Sequence, residues 1–194
     1  MSLISSPRRT ILTVVGAAAL LGSSVVLATA IAATPSPPKT VTATRITRPP
    51  GTLAPGSRVP SRDVVGQRIF TNATRGFALA TARGADYPAA TTNGGKTWKT
   101  AGPALHLHAA QAPLAVIFIG AVNAKTVYAW GGGQVIDTTN DGGKSWYRAL
   151  FTSGSPVAVV QDPTGRLLAF VQSFNGKSTT EYVSKNGGRT WRRS

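Results

Sequence analysis

Six carboxylates and two histidines are the carboxyl and imidazole groups this 194-residue chain offers for acid–base or metal chemistry. They are Asp63, Asp86, Asp137, Asp141, Asp162, Glu181, His106 and His108. Glycoside hydrolysis needs two carboxyls across one pocket, and no such pair is evident: Asp137 falls in a strand-like run, Asp141 and Asp162 in turns. Glu181 directly precedes Tyr182. Neighbours in a strand point to opposite faces, so that glutamate is not placed to activate that phenol. His106-Leu107-His108 sets two imidazoles on one side of an extended segment, a geometry that suits a metal. No third ligand is evident, and the segment reads as a surface loop. Cysteine is absent, which excludes disulfides, zinc–thiolate sites and thiol nucleophiles. Neither a cofactor nor a metal is expected, and the chain reads as a non-enzyme.

These groups are carried by a repeated unit. Thr91-Thr92-Asn93-Gly94-Gly95-Lys96-Thr97-Trp98 returns as Thr139-Asn140-Asp141-Gly142-Gly143-Lys144-Ser145-Trp146 and again as Ser184-Lys185-Asn186-Gly187-Gly188-Arg189-Thr190-Trp191. A period of roughly 45 residues marks a modular fold. Aligned on the tryptophans, each unit reads as four short strands: near 67–70, 76–80, 87–91 and 97–99; near 115–118, 126–130, 135–139 and 145–148; near 156–159, 167–171, 180–184 and 190–193. The turn falls between the third and fourth strands. Asn93, Asp141 and Asn186 supply acceptors for backbone N–H groups just downstream. Gly95, Gly143 and Gly188 end glycine pairs that permit positive φ. Thr91, Thr139 and Ser184 open the turn, and Thr97, Ser145 and Thr190 bond back across it. Trp98, Trp146 and Trp191 fill the space between turn and sheet.

The pattern Ser/Thr-x-Asp-x-Gly-x-Thr-Trp resembles the Asp-box, or BNR repeat, of sialidase-like β-propellers. It is also similar to the BNR-type repeats of the photosystem II assembly factor family, where Asn replaces Asp in the same turn. The resemblance covers about residues 65–194. It implies an all-β, propeller-like domain (61–194) of about three four-stranded blades, near 65–110, 111–153 and 154–194. It also implies that the turns lie on the blade rim, away from any catalytic pocket. Three blades fall short of the four to eight of closed propellers. Two or more chains complete a ring, or the blades form an open arc, or the preceding segment adds strands.

The charge is lopsided, with 21 Lys and Arg against six acids and a net charge of +15. Such a chain is drawn to anionic surfaces, unless the charge is only a solvated face. Lys96, Lys99, Lys144, Arg148, Arg189, Arg192 and Arg193 lie in or beside the turns and are the candidate contacts to an anionic partner.

Ahead of the repeats, Ile11 to Ala33 carries no charge and follows Arg8-Arg9. A run of that length spans a bilayer, and basic residues before it put its start in the cytoplasm. Residues 1–33 therefore read as a single-pass anchor with the C-terminal domain outside, or as a signal peptide cut near Ala32, by a Sec or a twin-arginine route. Residues 34–60 hold Pro35, Pro37, Pro38, Pro49, Pro50, Pro55 and Pro60 and read as a disordered linker acting as a stalk. The expected role is an extracytoplasmic binding or assembly module. Its partner is an unknown protein, an anionic envelope polymer or a second copy completing the propeller, and not nucleic acid, given export. The alternatives are a sialidase-like hydrolase with a degenerate site and an assembly chaperone for a membrane complex.

Overall fold

A computed structural model describes residues 36–110 and 112–194. The apolar run 11–33, read above as anchor or signal, lies outside the described residues; among these, no helix is long and apolar enough to cross a membrane.

Three short strands come first: β1 (Thr40–Thr42), β2 (Thr44–Arg45) and β3 (Arg58–Val59). The first repeat forms β4 (Val64–Phe70), β5 (Gly76–Ala82), β6 (Ala85–Thr91) and β7 (Trp98–Thr100), followed by β8 (His106–Leu107). The second forms β9 (Phe118–Ala121), β10 (Val127–Trp130), β11 (Val135–Thr139) and β12 (Tyr147–Leu150). The third forms β13 (Gly154–Gln161), β14 (Leu167–Ser173), β15 (Thr179–Ser184) and β16 (Thr190–Arg193). Each repeat is an antiparallel meander, so the described residues form an all-β, propeller-like stack of three blades.

The segment expected to be a disordered linker is a correction. Its three strands add a fifth strand to every blade, in reverse order: β1 on β16, β2 on β12 and β3 on β7. Val41 pairs with Trp191 and Val59 with Trp98, and both valines are buried. The strap is further fixed where the Tyr182 hydroxyl donates to the Pro38 carbonyl at 3.0 Å and the Leu53 N–H donates to the Tyr87 hydroxyl at 3.0 Å. The folded unit therefore does not begin at 61: it reaches back at least to Pro38 and Lys39, whose carbonyls accept from Tyr182 and Arg193. In native conditions trypsin should leave Arg45 and Arg58 uncut at enzyme levels that digest an unfolded control. Rapid cleavage at both sites, read by mass spectrometry, would overturn the strap.

The core lies between the blades, where the strand alternation sends large side chains of facing sheets together. Phe77 and Leu79 of β5 meet Ile119, Val127, Ala129, Val135 and Trp146 of the second blade. Tyr128, Ile136 and Phe151 meet Leu167, Val171, Tyr182 and Trp191 of the third. Trp98 points to the opposite side of the first blade, where among the described residues no other blade packs. There a bulge between Val65 and Arg68, opened by Gly66 at φ 68°, lets β4 curl over the indole. Phe70 lies edge-on to Trp98 at 6.2 Å and Arg68 covers its ring at 6.0 Å.

Candidate functional site

The three turns share one hydrogen-bond pattern. The hydroxyls of Thr91, Thr139 and Ser184 donate to the side-chain oxygens of Asn93, Asp141 and Asn186 at 2.8–3.0 Å. The same hydroxyls accept from the N–H groups of Gly95, Gly143 and Gly188. The Asn or Asp oxygen then accepts from the N–H of Thr97, Ser145 or Thr190, each at 2.9 Å. Both glycines of every turn have positive φ, from 63° to 97°. Burial raises the Asp141 carboxyl, but the bonds from Ser145 and Thr139 outweigh it and hold it below the usual carboxylate range. These bonds engage a side-chain oxygen of each Asn or Asp inside its own loop and close the turn.

The second and third turns also lock one blade to the one before. The Trp146 indole donates to the Ala101 carbonyl at 2.7 Å. Asn140 donates to the carbonyls of Asn186 and Gly187 at 3.3 and 3.1 Å. On the third blade the positions equivalent to Thr138, Asn140 and Tyr147 are Val183, Lys185 and Arg192. With Asn186 and Thr190 they line a cleft of about 360 Å³, in which no turn of the described residues is docked.

Of the seven candidate cations, Lys96, Lys99, Lys144, Arg192 and Arg193 are exposed. Two are corrected. Arg148 points inward, because two residues beyond a buried tryptophan the strand returns to the same face. Its guanidinium grips both oxygens of fully buried Asp137 at 2.8 and 2.6 Å and donates to the Leu105 carbonyl, joining the second blade to the segment after the first. Arg189 stacks on the Tyr147 ring 3.2 Å from its centroid, between the second and third blades. The strap adds cations of its own: Arg58 sits directly opposite Lys99, and Arg45 opposite Tyr147. Among the described residues none of these exposed cations has a salt-bridge partner. The bridges present join Arg62 to Asp63, Arg148 to Asp137, Arg166 to Asp162 and the histidines to Asp86.

The histidine segment departs from the sequence reading. β8 pairs with β6, placing His106 opposite Asp86, and the Leu105 and His108 N–H groups bond to the carbonyls of Asp86 and Gly84. His106 Nδ1 and His108 Nε2 lie 3.1 and 3.0 Å from the two Asp86 oxygens. Asp86 is thus the third group that the sequence did not reveal. Desolvation raises its carboxyl, but bonds from Thr81, His108 and His106 outweigh this and hold it below the usual range. Glu181 and Tyr182 are separated as expected: Tyr182 is fully buried, its hydroxyl bonded to the strap, while Glu181 lies on the other face.

Comparison with protein families finds no match, and comparison with characterised proteins finds none. Among solved structures the chain is similar to one described as YCF48 bound to D1 peptide, at 18% identity and a TM-score of 0.46. The match covers 76% of this chain and 46% of that one, so this chain spans less than half the length of its match.

Proposed function

We propose that this protein is a non-catalytic binding module whose outer rim engages a phosphate-dense partner, an envelope polymer or a headgroup surface, while residues 11–33 tether it to a membrane with the blades outside. The observation that carries this reading is the register of the strap. Arg58 and Lys99 stand directly opposite each other, and among the described residues neither is in a salt bridge. Like charges so placed cost about 0.2–1 kcal/mol of sheet stability, and an anionic partner removes that cost. Lys39, Arg45, Lys144, Arg192 and Arg193 extend the same unneutralised edge across the other two blades.

Soluble inorganic polyphosphate is the appropriate probe, because vesicles would also take up the apolar run 11–33. Binding of the full chain should be strong at low salt and fall steeply toward ~1 M, where the screening length drops to about 3 Å. Arg58→Glu with Lys99→Glu should weaken it at least tenfold at low salt. No binding at low salt, or binding indifferent to salt and to both substitutions, overturns the reading.

A further inference from the structure

We propose that Asp86, His106 and His108 form a binding site for a divalent transition cation of the zinc class. One ligand atom from each, Asp86 carboxylate oxygen, His106 Nδ1 and His108 Nε2, lies within 4.8 Å of the others. Zinc bonded at about 2.0–2.2 Å to nitrogen and carboxylate oxygen holds tetrahedral neighbours roughly 3.4 Å apart, so closure needs only small side-chain movements. Two imidazoles and one carboxylate match the set that catalytic zinc sites use, with a fourth position left to water. Here the outward side is open: the His108 side chain is 45% exposed, while those of Asp86 and His106 are 15% and 14% exposed. His106 also borders a cleft of about 300 Å³ between the strap and β8.

The surroundings supply the orienting bond such sites require. The Thr81 hydroxyl donates to Asp86 Oδ1 at 2.6 Å and fixes the carboxylate. Partners of this kind orient metal ligands and strengthen binding. The backbone is equally constrained. Arg83 and Gly84 form a two-residue hairpin with φ of 50° and 69°, and Arg83 is the only non-glycine with positive φ among the described residues. The His108 N–H closes onto this hairpin at the Gly84 carbonyl. The ligands are therefore held by a pinned turn and a strand pair. Without a cation, each ring nitrogen facing Asp86 donates a proton to it. Coordination takes the lone pair of that nitrogen, and the proton of each neutral ring moves to its other nitrogen, so none need be released. The site is independent of the basic rim, so the two readings stand or fall separately.

The test uses the untagged full-length chain, stripped with chelator and titrated with zinc chloride by calorimetry. One equivalent should bind, and excess zinc should raise the melting temperature, because only the folded chain assembles the site. His108→Ala removes an exposed ring and should keep the metal-free melting temperature. It should weaken zinc binding at least tenfold and abolish the thermal shift, and Asp86→Asn should do the same. Polyphosphate binding should be unchanged in both. If the unsubstituted chain binds no zinc, or binds it as well after His108→Ala, the cluster is only a hydrogen-bonded clasp for the segment after β7 and the proposal fails.

Discussion

Trp146→Ala should destabilise the folded domain by about 3–5 kcal/mol, the range for removing a large buried aromatic. Lys144→Ala, two residues earlier in the same turn, should stay within about 0.5 kcal/mol of the unsubstituted chain. The contrast follows from position. Trp146 is fully buried between the first two blades among Phe77, Leu79, Ile119 and Val127, and its indole satisfies the Ala101 carbonyl. Lys144 is exposed. The three tryptophans are not equivalent: Trp98 and Trp191 are also fully buried, but neither indole N–H has a partner. Trp146→Ala leaves a cavity and an orphaned carbonyl, so it should exceed Trp98→Ala by about 1 kcal/mol. Urea unfolding with an unchanged m-value measures both differences. Equal midpoints for Trp146→Ala and Lys144→Ala would remove the turn from the inventory of what holds the blades together.

Those turns were readable in the sequence because everything that closes them is local. Thr139, Asp141, Gly143 and Ser145 bond to partners two or four residues away, so residue type and spacing carry the whole geometry. The strap was not readable for the converse reason. Thr40–Thr42, Thr44–Arg45 and Arg58–Val59 are too short and too polar to show alternation. Their partners, Thr190–Arg192, Tyr147–Arg148 and Trp98–Lys99, lie far along the chain. Proline and threonine read as disorder because Val41 and Val59 are buried against the repeats, where their cross-strand partners are Trp191 and Trp98. Asp86 was hidden in the same way: only the pairing of β8 with β6 brings it to the histidines. Arg148 was different, since the alternation that sends Trp146 and Arg148 to one face of the strand and Tyr147 to the other was present in the sequence. What the sequence lacked was the buried carboxylate waiting opposite, which the register of Asp137 with Arg148 supplies.

That pair yields the second large effect. Arg148→Met should cost about 3–5 kcal/mol, because it leaves Asp137 buried without a counter-charge and also deprives the Leu105 carbonyl of its donor. The loss should depend on pH with a definite sign. Burial already pushes the Asp137 carboxyl up, and the arginine offsets only part of that; removing the arginine raises it further. The native variant then keeps a proton over a pH range in which the unfolded chain, titrating near pH 3.9, has lost it. Native binds more protons than unfolded, so stability falls as pH rises. Arg148→Met should therefore be least stable near neutrality and recover part of its deficit toward about pH 5, whereas an exposed substitution such as Lys144→Ala should show no comparable recovery. Replacing both partners, Asp137→Leu with Arg148→Met, should restore part of the lost stability at pH 7, since an apolar pair needs no desolvation of charge. The remaining deficit, about 1–3 kcal/mol, is the unpaired Leu105 carbonyl at the seam between the first and second blades. A double variant no more stable than Arg148→Met, or an Arg148→Met deficit that does not change with pH, would show that the seam is held by the surrounding apolar packing and not by the charge pair.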